Sequence, residues 1–450
     1  MGNITLGQAA KWCGGSVQKK YADISFCGAN NDSRNILPGQ LFVALRSQRD
    51  GHEYIPAAME KGAAAVLCSH CDGDYPAIVV DDPRIALGQI AREERKRIGM
   101  KVVGVTGSVG KSTTKEMVAA ALEGTYKVAK TPANHNNDIG MPMAVLAMPE
   151  DTQVAVLEMG MNHFREIAYL TAIAKPDVAV IINIGTMHIE HLGSMEGILQ
   201  AKLEIMEGMP ADGKIVLNGD DSLLWNQRKT THLKGVYFGA RNHDCHVLAE
   251  NVRQDGDWLR YTAKVGELML PIELALEGEH YVHDSLAAIA VALELGVEPQ
   301  TIAKNLSQFR NMAGRQEIFE YQSYTIIQDC YNAGPESMAA ALNVLGNRKG
   351  QRIAVLGDML ELGVCTQAEH YKVGRIAAEK ADILLSYGPN SVRMLNGALT
   401  GGMSETKARA FTDRERLVDV LKQLAKPGDT ILFKGSRGMR MELILEQFMK

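Results

Sequence analysis

Three features predict an α/β protein of three domains. Short apolar runs of strand length alternate with amphipathic helical stretches along the whole chain. A length of 450 residues exceeds one ordinary core and sets a prior of about three domains. One strand runs straight into a glycine-rich turn and a helix, the local order of a doubly wound sheet.

The first block, residues 1–98, opens with a helix over 5–13 stopped by Gly14-Gly15. It continues through the apolar run 40–45 and a short strand at 64–67, and closes with a helix begun by Pro83. Proline suits a first helical position, where its missing N–H is not needed. The second block, 99–310, has strands predicted at 102–105, 154–157, 178–182 and 214–217, the rhythm of a mostly parallel sheet. It ends after an alanine-rich helix around 285–295. The third, 311–450, restarts the pattern with strands at 325–327, 353–356, 383–386 and 430–433.

Composition narrows the function. The chain is 46% hydrophobic and 22% charged, with a formal net charge of −5. That balance gives no basic field for a nucleic-acid backbone, so no nucleic-acid partner is expected. The first residues lack the basic and apolar regions of a signal peptide. No apolar run approaches the roughly 20 residues of a spanning helix, so membrane insertion is not expected. Seven cysteines, an odd number in a long chain, suggest reduced thiols and a cytoplasmic protein. The lone Cys68-Ser69-His70-Cys71 lacks the second ligand pair of a zinc site.

The most informative string is Thr106-Gly107-Ser108-Val109-Gly110-Lys111-Ser112-Thr113, between the strand at 102–105 and a helix predicted over 115–122. Glycines there let backbone N–H groups turn inward, and the helix N-terminus faces an anion. Lys111 is placed to reach terminal phosphates, and Ser112 to offer a hydroxyl to Mg²⁺. The usual first glycine of such a loop falls on Val105, and Gly104 and Gly107 are spaced wrongly for a dinucleotide fingerprint. A solvated lysine in a Gly/Ser turn is the bland alternative. Beyond the loop, Glu158 ends the strand at 154–157, and Asn183 to His188 follow the strand at 178–182. Lys202 sits on the next helix. Glu158 and His188 are thus candidate Mg²⁺ ligands at one sheet edge.

Together these strings resemble the Mur ligase family. The loop follows that family's own variant, joined by Asn134-His135-Asn136-Asn137-Asp138, Glu158, Asn183 to His188, and Ala201-Lys202. The first block carries Asp32-Ser33-Arg34, the run 38–45 and Asp50-Gly51-His52. The third carries Gly314-Arg315, Asp329-Cys330-Tyr331-Asn332, the string 357–363 and Lys434-Gly435-Ser436-Arg437. Within the family, the last two strings point to the branch joining D-alanyl-D-alanine to UDP-N-acetylmuramoyl-tripeptide.

The resemblance implies a small N-terminal α/β uridine-nucleotide-binding domain, a central mostly parallel P-loop ATPase-like domain and a C-terminal Rossmann-like acceptor domain. It implies an ATP-dependent ligase working through an acyl phosphate in cytoplasmic peptidoglycan precursor synthesis, as a monomer. ATP would contact residues 107–113, Asp284, Arg315 and Asp329. Two Mg²⁺ ions would be held by Ser112, Glu158 and His188. Lys111, Glu158, His188 and Lys202 would be catalytic, with Lys202 carrying a carbamate. Ser33, Arg34, Asn134, Asn137, Asn332, Lys434 and Arg437 would meet the two substrates.

Two departures stand out. A family His-Asn-x-x-Asn string reads His280-Tyr281-Val282-His283-Asp284, and Asp-Ser-Tyr-Asn-Ala-Asn-Pro reads Asp329-Cys330-Tyr331-Asn332-Ala333-Gly334-Pro335. A ligase with another amine acceptor, or an inactive nucleotide-binding scaffold, therefore stays open. Asp81-Asp82-Pro83-Arg84 imitates a substrate signature of the family's preceding ligase but lies in the wrong block, and reads here as a helix start.

Overall fold

In the computed structural model, which describes residues 4–230 and 234–450, each block builds its own parallel-rich sheet. The first block's sheet has five strands in the order 16–17, 77–79, 65–68, 41–43 and 29–30, antiparallel only at the 16–17 edge, beside a separate antiparallel pair of Ile4–Thr5 and Ser25–Phe26. The third block has six, with Thr430–Lys434 central and the antiparallel strand Glu317–Tyr321 at one edge.

The central sheet has nine strands. Lys101–Thr106 lies between Val154–Glu158 and Val178–Ile181, parallel to both. The chain leaves this strand for one side and later returns to the other, so a crevice opens at its C-terminal end. A feature absent from the sequence expectation extends the far edge. Val247–Asp255, Trp258–Val265 and Leu268–Leu274 form an antiparallel meander. Leu268–Leu274 alternates buried and exposed residues from Leu270 onward, the signature of a sheet wetted on one face.

Local chemistry explains the helices that matter. Pro83–Ile98 is opened by Asp82, whose Oδ1 accepts from the N–H groups of Arg84 (2.8 Å) and Ile85 (3.3 Å). It closes at Gly99, φ 74°, with Arg95, Lys96 and Arg97 offsetting the negative end of the helix dipole. Its inner face, Leu87, Ile90 and Ala91, shares one core with Met141, Ile167 and Leu170 of the central block. The first block is therefore seated on the second.

The phosphate-loop helix spans Lys111–Leu122, four residues earlier than the sequence expectation. Gly110 adopts φ 84°, a left-handed turn that starts the helix at the next residue. Met117, Val118 and Leu122 pack with Leu286 and Ile289 of His280–Glu294 on the opposite face of the sheet. Burial of each such side chain contributes about 1.5–3 kcal/mol. No helix among the described residues is long and apolar enough to cross a membrane.

Candidate active site

A cleft of about 870 Å³ lies where the three blocks meet. Ser108, Val109, Gly110, Lys111, Ser112 and Thr113 line it, with Glu158, His188, Asp284, Arg315, Asp329, Asn332 and Lys434. Residues predicted in the second and third blocks thus converge on one volume, to which the first block adds Arg84 and Ile85.

The loop is held open from behind by Asn183. Its Oδ1 accepts from the N–H groups of Ser108 and Val109, both at 3.0 Å, and its Nδ2 donates to Val109 O at 3.0 Å. Ser108 Oγ adds two bonds to Gly185, donating to its carbonyl (3.2 Å) and accepting from its N–H (2.8 Å). Lys111 Nζ folds onto the carbonyls of Gly107 (2.8 Å) and Ser108 (3.0 Å). Desolvation pulls the Lys111 ammonium below the ordinary lysine range, Arg315 adds to this, and Glu158 opposes it.

Glu158 is buried at the strand end. Its Oε2 accepts from Ser112 Oγ at 2.6 Å and its Oε1 from Asn136 Nδ2 at 2.8 Å. A hydroxyl and a carboxylate beside a phosphate loop form the hard-oxygen set that Mg²⁺ takes together with phosphate oxygens and water. The donor chemistry fits that ion. No group of three or more His, Cys, Asp or Glu positioned to hold a metal exists among the described residues. Magnesium commonly relies on one or two protein oxygens, so this is no conflict. His188 turns its Nδ1 toward Glu361 Oε2 of the third block, 2.8 Å away. That nitrogen is buried and the geometry falls short of a hydrogen bond.

Arg315 crosses from the third block into the loop. Its Nη2 donates to Ser112 Oγ at 2.8 Å, and its guanidinium lies over the Tyr331 ring at 4.0 Å. It sits between two left-handed residues, Gly314 (φ 72°) and Gln316 (φ 47°). Glu336 of the third block reaches back, accepting from Thr186 N at 3.1 Å.

Asp284 is directed at the loop rather than into open cleft. Its Oδ1 accepts from Thr114 Oγ1 at 2.9 Å, and a Cβ on Gly110 would lie 2.7 Å from the same oxygen. Gly110 therefore needs to be glycine for space as well as for φ. Burial pushes the Asp284 carboxyl up to about 7, so it keeps its proton below neutrality and shares it about evenly at pH 7. That restores the donor an asparagine would supply. Burial likewise lowers neighbouring His280 to about 4, leaving a neutral ring at this end of the cleft.

The remaining predicted residues stand partly in the cleft and partly outside it. Asp329, expected toward the nucleotide, and Lys434, expected toward the acceptor, pair with each other at 2.5 Å, and Lys434 Nζ also reaches Asn332 O at 3.1 Å. Lys202 is buried, its side chain has no hydrogen bond or ion pair among the described residues, and its pKa falls well below the lysine range through desolvation and then the charge of Lys111. Asn137 lines the cleft, but exposed Asn134 does not. Ser33 and Arg34 stand in the first block outside the cleft, where Arg34 pairs with Asp32 at 85% side-chain exposure. Arg437 pairs outward with Glu442. Asn136 and Asn183, which orient the carboxylate and the loop, were quoted in the sequence strings without a role. Only their side-chain directions separate them from their neighbours.

A phosphate loop at the end of a parallel strand, in a cleft lined by all three blocks and reached by an arginine of the third, is the architecture of an ATP-dependent ligase. Residues 105–292 match the Mur ligase middle domain and 314–437 the Mur ligase glutamate ligase domain. The chain belongs to the Mur ligase family. It is 39% identical to the UDP-N-acetylmuramoyl-tripeptide–D-alanyl-D-alanine ligase of Bacillus subtilis (strain 168), over 96% of this chain and 95% of that one. The structure of UDP-N-acetylmuramoylalanyl-D-glutamyl-2,6-diaminopimelate–D-alanyl-D-alanyl ligase from Acinetobacter baumannii superposes with a TM-score of 0.89 at 30% identity, covering 100% and 99%. That of MurF ligase from Thermotoga maritima in complex with ADP gives 0.83 at 28%, covering 94% and 97%.

Proposed function

We propose that the chain joins D-alanyl-D-alanine to UDP-N-acetylmuramoyl-tripeptide at the expense of ATP, in cytoplasmic peptidoglycan precursor synthesis. In this reading residues 1–98 receive the uridine end, 99–310 hold ATP, and 311–450 carry the amine acceptor. The observation that carries it is the Arg315–Ser112–Glu158 chain of contacts beside Lys111, built from two blocks in a cleft that all three line.

The tripeptide carboxylate attacks the γ-phosphorus of ATP, the bond to the β-phosphate oxygen breaks, and ADP leaves. The acceptor amine then attacks the acyl-phosphate carbon, losing a proton as phosphate departs and the amide forms. The first step brings two anions together, and unit charges at 4 Å repel by about 4 kcal/mol at an effective dielectric of 20. Lys111 and Arg315 offset that repulsion, and the inward N–H groups of the loop bind phosphate oxygens. Magnesium, held by Ser112 and Glu158, would supply further neutralisation of the phosphates. A carbamate on Lys202 would place a carboxylate near a second ion with His188. The lone buried amine supports this, because only an uncharged amine adds CO₂.

The test is the mass of the product from ATP, UDP-muramoyl-tripeptide and D-alanyl-D-alanine, with phosphate release dependent on both peptide substrates. K111A should abolish release. Release that ignores the dipeptide, or survives K111A, refutes the proposal.

A further inference from the structure

Arg84 belongs to the string that reads as a helix start, yet its side chain lines the same cleft as the phosphate loop. It comes from the first block, on the helix seated against the central core. Tyr169 fixes its backbone by donating to Arg84 O at 3.4 Å. Its side-chain partner is Asp138, whose Oδ2 accepts from Nη1 at 3.0 Å. The two side chains are 46% and 38% exposed, and an ion pair this open to water is weak. The guanidinium has five donors, and Nε and Nη2 have no protein acceptor among the described residues. The other arginine of this arm, Arg165, is engaged by Glu207 at 2.7 Å.

The position decides what such a cation would meet. ATP takes the loop, with His280 at one end of the cleft, and Asn332 and Glu336 mark the third-block side. The arm between the first block and the loop, with Arg84 and half-exposed Ile85, remains for the acyl donor. The Acinetobacter relative's name spells a donor stem of alanyl-D-glutamyl-2,6-diaminopimelate. A glutamyl residue in a chain keeps one free carboxylate, and diaminopimelate brings a second amino-acid centre with its own.

We propose that Arg84 is a specificity-determining residue that binds a carboxylate branching from the donor's stem peptide, through the guanidinium donors Asp138 leaves unused. The assignment rests on the ligase reading above. Two parallel N–H···O bonds from a planar fork suit a carboxylate, which lysine cannot reproduce.

The test is steady-state phosphate release by the full-length enzyme with three donors: the diaminopimelate tripeptide, the same with D-glutaminyl for D-glutamyl, and the lysine tripeptide. R84A should raise the donor KM by about tenfold or more, with kcat and the ATP KM within about twofold. Removing the contacted carboxylate should raise the native enzyme's KM by the same factor and leave that of R84A where it is. Whichever donor shows this names the carboxylate. D138A breaks the same ion pair but keeps the guanidinium, so its donor KM should stay or fall. Arg84 is eliminated by R84A at the native KM, by donor changes that multiply fully with R84A, or by D138A reproducing the R84A loss. A native enzyme that turns over none of these donors overturns the ligase reading, and this assignment with it.

Discussion

Arg315 Nη2 lies 2.8 Å from Ser112 Oγ, joining two residues 203 positions apart. The guanidinium carbon lies 4.0 Å from the centre of the Tyr331 ring, so the ring helps to hold the cation in place. R315A should lower kcat about a thousandfold, since an arginine on a transferring phosphoryl group typically contributes that much or more. R315K should recover little, lacking the planar fork. Single-turnover phosphate release measures this, and near-native R315K would contradict it.

Asp284 gives a pH-dependent prediction. Its carboxyl is raised from 3.8 to about 7 by burial, so the folded state holds the proton more tightly than the unfolded one. Stability from this position is complete at acid pH and lost as pH rises through about 7. D284N, neutral throughout, should therefore raise Tm by an amount that grows between about pH 4 and 7 and stays level above. A pH-independent difference in thermal melts would show that Asp284 is ionised in the fold.

Lys202 should be indispensable for ligation. K202A is expected to be inactive, with partial recovery when a short carboxylic acid is added. Labelled bicarbonate should give a carbamate carbon signal in the native protein that K202A lacks. Full activity of K202A in plain buffer would remove the carbamate from the scheme.

The Asp329–Lys434 pair predicts a stability effect separate from chemistry. Lys434 is 2% exposed and Asp329 16%, so K434M leaves a carboxylate with little water and no cation. The cost should be about 3–5 kcal/mol in urea unfolding, and D329N/K434M should regain part of it. Equal stability of K434M and native protein would mean that water already reaches Asp329.

The sequence made most of the scaffold legible, because its parallel strands are continuous apolar runs and its helices carry end signals. Pro83 opens one helix as its position predicts. The meander after residue 247 escaped because one-face-wet strands alternate and lack a solid apolar run. In the site, Lys111, Ser112 and Glu158 were found from their place between strand and helix. Asn136 escaped among Asn134 and Asn137, since spacing along an irregular turn does not say which amide faces a carboxylate. Arg84 was read for its backbone role alone, because a helix start says nothing about where the second side chain points. The joining of Asp329 to Lys434 needed strand order: the two strands are neighbours only after a crossover.

Gly314 and Gln316 flank Arg315 with left-handed backbone at the passage between the second and third blocks. The residue that reaches the phosphate loop thus lies within the link that joins the two blocks. A third block that rotates outward withdraws the guanidinium in the same movement, and the nucleotide left behind loses the cation its cleavage needs. The Arg315–Ser112 contact therefore registers where the third block stands relative to the phosphate loop.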